Sequence, residues 1–232
     1  MKKDIRLGLL SLAAGALLAA CSGGGGGSDV PSSGVLGDVP SMIAGYEQKM
    51  NELKQSMTDE ASAKQAMEEY SKLEAEKETQ LKEAAEALTG KQVPTEVADA
   101  PVKILTPFTI KEFEPDRNRF MLEAEIELTG ECTNLPGSDA FLLSSFSIVA
   151  CGSDGQPFYS RNANYSDDVE NSESVPAGTK ALLTTWLDIK DWNAAAMGEM
   201  SKIVVCKEDG ETFKKAETQS EALRANFGSG SK

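Results

Sequence analysis

The hydrophobic period of this chain changes once, near residue 90, and that change separates what can fold as helix from what must fold as sheet. Before it, apolar residues recur every three or four positions, the spacing of one helix face. After it they alternate, the spacing of a half-buried strand. A chain patterned in that order is expected to be α+β, with its helices segregated from its sheet.

Residues 41–88 are rich in Glu, Lys, Ala, Met and Leu, hold one early glycine (Gly45) and lack proline, so they favour helix throughout. Ser41 suits the N-cap, and Gly90 and Pro94 stop the run. Ile43, Tyr46, Met50, Leu53 and Met57 share one face. That register then fails, because it would next put Glu60 and Lys64 on the seam. A second stripe begins with Met67, Tyr70 and Leu73, lapses at Lys77 and resumes with Leu81, Ala84 and Leu88. The break falls at Thr58-Asp59, both good capping residues, and predicts a helical hairpin over residues 41–90. The alternative, one long coiled-coil helix, would project about 75 Å with an interrupted seam.

Residues 93–215 read as strands. Phe120, Leu122, Ala124, Ile126 and Leu128 point one way, while Met121, Glu123, Glu125 and Glu127 point the other, so one face of that sheet is wet. Further strands are expected at 108–113, 141–151, 157–165, 181–189 and 203–206, with turns at Pro115-Asp116, Ser153-Asp154-Gly155 and Asp209-Gly210. Several short strands at this spacing predict an antiparallel sandwich. Residues 191–200 suggest a short helical crossover, and the polar stretch 216–232 a flexible, frayed tail.

Composition removes whole classes of chemistry. The chain has no histidine, which excludes Ser-His and Cys-His catalysis and imidazole metal ligands. With 37 acidic against 23 basic side chains it is repelled by nucleic acid, so no nucleic-acid partner is expected. An enzyme would have to work with carboxylates, lysine or tyrosine.

At the N-terminus, Lys2, Lys3 and Arg6 precede the apolar run Leu7 to Leu18, and Leu18-Ala19-Ala20-Cys21 closes it. This segment resembles the secretion signal of bacterial lipoproteins. The resemblance implies that residues 1–20 are removed, that Cys21 carries acyl chains such as palmitate, and that these hold the protein to a lipid bilayer. Losing residues 1–20 takes away three basic side chains and one acidic one, lowering the formal charge from -14 to -16. Ser22, which is not acidic, implies a cell-envelope location at the outer membrane, its face left open. Residues 21–40 are expected to be a Gly/Ser-rich linker with a reach of about 25 Å.

Two further resemblances concern architecture. The polar corner Thr58-Asp59-Glu60-Ala61-Ser62-Ala63, followed by Glu69-Tyr70-Ser71-Lys72-Leu73, resembles the helical hairpin of uncharacterised Bacteroidetes-like lipoproteins. The turn at 153–155, the step Pro176-Ala177-Gly178 into residues 182–189, and Lys202-Ile203-Val204-Val205 resemble immunoglobulin-like modules of bacterial lipoproteins. Such modules bind, space or protect. They imply a non-catalytic interaction or structural role, without cofactors, with an envelope protein or glycan as partner.

Candidate sites beyond Cys21 are few. Asp167, Asp168, Glu170 and Glu173 concentrate oxygen ligands as a weak calcium site would, or form a solvated acidic loop. A glycan- or calcium-binding accessory role is therefore the alternative function, and a carboxylate-dependent envelope hydrolase the third. Trp186, Trp192, Tyr159 and Tyr165 would serve sugar stacking if they formed an open platform, or else lie under the helical segments. Cys132, Cys151 and Cys206 are either buried thiols or include one bridge. If successive strands alternate in direction, Cys132 and Cys206 share one end of the sandwich and Cys151 lies at the other. Cys132–Cys206 is then the pair that topology permits.

Overall fold

The computed structural model describes residues 34–130, 132–133, 142–166, 174–208 and 210–229. Its elements are α1 (Val39–Ser56), α2 (Glu60–Glu86), β1 (Thr95–Val97), β2 (Val102–Glu114), β3 (Arg119–Leu128), β4 (Cys132–Thr133), β5 (Leu142–Gly152), β6 (Pro157–Ser166), β7 (Ser174–Val175), β8 (Lys180–Asp188), α3 (Ala194–Gly198), β9 (Met200–Cys206) and α4 (Glu211–Ser229). The fold is mixed α+β. Among the described residues no helix is long and apolar enough to cross a membrane.

The helical segment breaks where its stripe fails. Asp59 caps α2 by accepting the Ser62 N–H at 2.8 Å, and the Ser62 hydroxyl oxygen accepts the Asp59 N–H at 3.0 Å, a reciprocal capping box. The two helices meet through the buried Tyr46, whose hydroxyl donates to Gln80 Oε1 at 2.8 Å and to Glu76 Oε1 at 3.2 Å. Burial, and then the Glu76 carboxylate, push the Tyr46 phenol up to about 12.

The strands form one seven-stranded sheet in the order β1-β9-β5-β6-β8-β3-β2, with β4 and β7 as a separate two-stranded ribbon. All pairings are antiparallel except the parallel pair β1–β9. An immunoglobulin-like sandwich would keep two facing sheets, and the described residues do not divide that way. Asn164, Tyr165 and Ser166 pair with Thr184, Leu183 and Leu182, which joins the strands into one sheet.

Its two edges also meet. Val93 N–H donates to Phe108 O at 2.7 Å and Ile110 N–H to Lys91 O at 3.0 Å, while Ile203 N–H reaches Pro94 O and Ala98 N–H reaches Val205 O. The segment 90–98 thus bonds β2 with its first half and β9 with its second, closing the sheet on itself and leaving no long open edge between β1 and β2.

The main core follows from that closure. Phe108, Ile110, Phe120, Leu122, Ile126, Ile148, Leu183, Leu187, Ile203 and Val205, drawn from strands all round the sheet, belong to one buried cluster. Ile43 of α1, Leu81 of α2 and Met197 of α3 join it, so these helices share the core of the sheet. β5 and β9 are buried on both faces. Ile148 and Ala150 turn to the main core, while Val149 and Cys151 join Val204, Cys206 and Ala216 in a second cluster.

That second cluster corrects the reading of the C-terminus. Residues 216–229, expected to fray, lie in α4. Ala216 is fully buried and the Ser220 hydroxyl donates to Phe158 O at 2.8 Å. Few large apolar residues are needed there, because small ones let the helix approach the strands closely.

The linker also ends earlier than residue 40. Gly34 N–H donates to Gly198 O and Val35 N–H to Met200 O, both at 2.8 Å, and Leu36 is fully buried. A Cβ on Gly34 would lie within 2.8 Å of three main-chain atoms of Gly198 and Met200, so only glycine fits this crossing.

Candidate functional site

Cys21, Asp167, Asp168, Glu170 and Glu173 lie outside the described residues. Cys132 stands opposite Val175 in the β4–β7 ribbon. Cys206 and Cys151 carry free, buried thiols, so the Cys132–Cys206 bridge is not formed. Strand direction alone does not decide the pairing. β3 and β9 do run the same way, yet β8, β6 and β5 lie between them. A shared end does not by itself bring residues together, because Cys132 lies in the β4–β7 ribbon while Cys206 stands opposite Ser147 in the main sheet. Burial pushes the Cys206 thiol up to about 12, reinforced by the Asp99 carboxylate, and burial likewise raises Cys151.

The most developed side-chain constellation begins on the outward side of β3 and β8 and reaches the buried Tyr159 of β6. Trp186 sits opposite Met121 on the side away from the core, and the Arg119 guanidinium stacks 3.9 Å from its ring centroid. Arg119 is held there by Glu114, which accepts from Nε at 2.8 Å and from Nη2 at 3.1 Å. These hydrogen bonds keep the Glu114 carboxyl below the usual range. Arg119 therefore arrives at the indole already oriented by a two-point carboxylate bond.

A second group continues from there. β6 and β8 pair over three residues only, and beyond them side chains span the gap. The Asp188 carboxylate accepts from Arg161 Nη1 and, at 3.3 Å, from the Tyr159 hydroxyl. Tyr159 is buried, which raises its phenol, with Arg161 opposing the shift. Across the rim, Arg224 of α4 stacks 4.5 Å from the Trp192 ring centroid, and the Ser160 hydroxyl bonds Glu217.

The aromatic residues therefore do not make an open platform. Tyr159 is buried, Trp186 and Trp192 each have an arginine over one ring face, and the Tyr165 side chain lies outside the described ones. Each stack contributes about 0.5–1 kcal/mol if exposed and more when shielded from water. No local pattern marks these arginines. Their partners are set by strand order and by α4, neither of which leaves a local periodicity.

A groove of about 510 Å³ runs between α4 and the β5–β6 turn, lined by Asp154, Gln156, Glu211, Lys214, Lys215 and Thr218. Next to it, a cleft of about 310 Å³ brings Glu96 and Lys202 over Cys151. Lys215 pairs with Glu211 at 3.1 Å and Lys202 with Glu96 at 2.7 Å, so these lysines are matched by neighbouring carboxylates.

No family model, curated protein or solved structure matches this chain. The class the coordinates define is a mixed α+β module whose sheet closes on itself and whose surface aromatics are stacked by its own arginines.

Proposed function

We propose that this protein is a membrane-anchored extracytoplasmic lipoprotein of the cell envelope, held at the outer membrane by acylated Cys21 and serving as a non-catalytic interaction or structural module. In this reading a helical hairpin and the closed sheet form one stiff body displayed beyond the bilayer. The observation that carries the structural role is the run Glu114–Arg119–Trp186 and Asp188–Arg161–Tyr159. There, carboxylates and aromatic rings that a hydrolase or a sugar site would present to a ligand are bonded to arginines of the same chain. A carboxylate held ionised by a guanidinium is poorly suited to act as a general acid.

The test has two arms. Cys21→Ser should leave an uncleaved or soluble product that no longer incorporates labelled fatty acid, whereas a variant that stays membrane-bound after signal removal would refute the anchor. Cross-linking in intact envelopes should then yield a protein adduct that survives detergent. Saturable binding of wild type to an envelope glycan, lost in Trp186→Ala, would replace this reading with the glycan-binding one.

A further inference from the structure

α4 closes over two nucleophiles. Cys151 of β5 and Cys206 of β9 share a buried cluster with Val149, Val204 and Ala216, against which Phe213 packs, and both thiols are free. Cys151 is 2 % exposed and Cys206 0 %. Strand register holds them apart. Cys151 stands opposite Lys202 and Cys206 opposite Ser147 in the same ladder, which separates them by about 13 Å at about 3.4 Å per residue. A bridge needs Cα atoms within about 7 Å, so the two thiols cannot pair with each other.

Their cover is lightly held. α4 ends the run of elements and takes no part in a strand pairing. It is fixed by Ala216 in the thiol cluster, by Leu223 against the main core and by the Ser220 hydroxyl on Phe158 O at 2.8 Å. The Ser160–Glu217 bond and the Arg224–Trp192 stack complete its hold. A helix held by small apolar contacts and a few polar ones lies at the low end of local stability. Its departure would leave every rung of the seven-stranded sheet in place. The cleft of about 310 Å³ marks where opening begins, since Thr212 and Lys215 of α4 form one wall and Cys151 lines it.

We propose that α4 is a thiol-gated lid, which opens from β5 and β9 while the sheet stays folded and is held open once a small-molecule disulfide modifies Cys151 or Cys206. In that step the cysteine gives its proton to solvent and the thiolate attacks one sulfur of the disulfide. The disulfide's S–S bond breaks, its attacked half joins the cysteine in a mixed disulfide, and its other half leaves as a thiolate. The cysteine is oxidised and the disulfide reduced, so no further oxidant enters. The adduct cannot be covered again, because Ala216 is itself fully buried and a close-packed interface has no room for another group. Opening bares Val149 and Val204 with the thiols, so oxidation is coupled to exposure of an apolar strip on β5 and β9.

Brief labelling of the native protein should miss both thiols, so the full chain is held for hours with an aromatic disulfide at pH 8. Peptide mapping locates the modified cysteines, and exchange of the β3 and β8 amides in the same buffer measures opening of the sheet. Cys151 and Cys206 should be modified together, at a rate that levels off with reagent concentration and exceeds sheet opening by about tenfold or more. Singly modified protein should not accumulate, since the first adduct keeps the lid from closing. Ser220→Ala, which loses the bond to Phe158 O, should raise both rates severalfold and leave β3 and β8 exchange unchanged. The doubly modified protein should lose amide protection across residues 213–224 while β3 and β8 keep theirs, and dithiothreitol should restore it. The lid is overturned if both thiols react no faster than the sheet opens, if Cys151 is modified while Cys206 stays free, or if the adduct leaves α4 protected.

Discussion

Replacing Gly34 with alanine puts a methyl carbon where the chain leaves no room. That carbon would lie 2.5 Å from the Met200 carbonyl oxygen, 2.7 Å from that of Gly198 and 2.8 Å from the Met200 nitrogen. All three are main-chain atoms, at the end of α3 and the start of β9, so no side chain can swing aside. Reaching an ordinary contact of 3.4 Å requires the two segments to part by about 0.9 Å. Such a shift breaks the Gly34–Gly198 and Val35–Met200 hydrogen bonds, each contributing about 1 kcal/mol net. Overpacking at close-packed sites costs about 1–3 kcal/mol by itself. Against this, alanine narrows the unfolded ensemble and returns about 0.4–1 kcal/mol. The net expectation is a loss of about 2–4 kcal/mol, or about 4–16 °C in Tm for a chain of this size. Urea denaturation followed by circular dichroism measures it, with Gly45→Ala as the matched control. Gly45 is exposed within α1 and a Cβ there meets nothing within 4 Å, so that change should stabilise by up to about 1 kcal/mol. If Gly34→Ala is as stable as wild type while Gly45→Ala behaves as expected, residue 34 is not seated against β9 and the reasoning fails.

Three more outcomes follow. Ala216→Leu should destabilise by about 1–3 kcal/mol in the same titration, because Ala216 is fully buried against Val149 and Cys206, and a neutral result would return this stretch to a frayed tail. Asp59→Ala should fray the start of α2, seen as faster amide exchange at residues 60–64. The Ser62 N–H holds the Asp59 carboxyl below its ordinary range, so wild type should lose this protection as pH falls through that lowered pKa, and the variant should show no such loss. Native protein treated with a maleimide at pH 8 should leave Cys151 and Cys206 unmodified, both reacting once unfolded. Rapid native labelling of Cys206 would contradict its burial and its raised pKa of about 12.

Sequence pattern carried some of this architecture and missed the rest for physical reasons. The strand Phe120–Leu128 was legible because one face meets the core and the other meets water, and the helix break at Thr58-Asp59 was legible because a stripe ran out beside capping residues. Lys77 read as a lapse in its stripe, yet it is buried, because Glu47 thirty positions earlier neutralises it. Closure of the sheet was invisible, since residues 90–98 alternate poorly and include Pro94. The final helix was missed because its residues are mostly polar, and the contacts of Phe213, Ala216, Ser220 and Leu223 do not make a continuous large apolar stripe. At the arginine-stacked surface, the placing of Trp186 and its partners Arg119, Arg161 and Arg224 depends on tertiary neighbours that no local pattern encodes.

Closing the sheet through residues 90–98 also fixes when folding can finish. β1 must pair with β9, and Lys202 bonds Glu96, 106 residues earlier in the chain. Joining points about 100 residues apart carries a loop-closure penalty of about 4 kcal/mol that nearby pairings such as β2–β3 escape. The β2–β3 ladder can form early, but the ring stays open until β9 has been synthesised and delivered. Until then β1 lacks the ladder partner β9 and one edge of β5 stays bare, the state in which strands of two chains can pair by mistake. A chain cut short before Met200 would be held in that state permanently. The last strand therefore governs aggregation as much as it governs the finished fold.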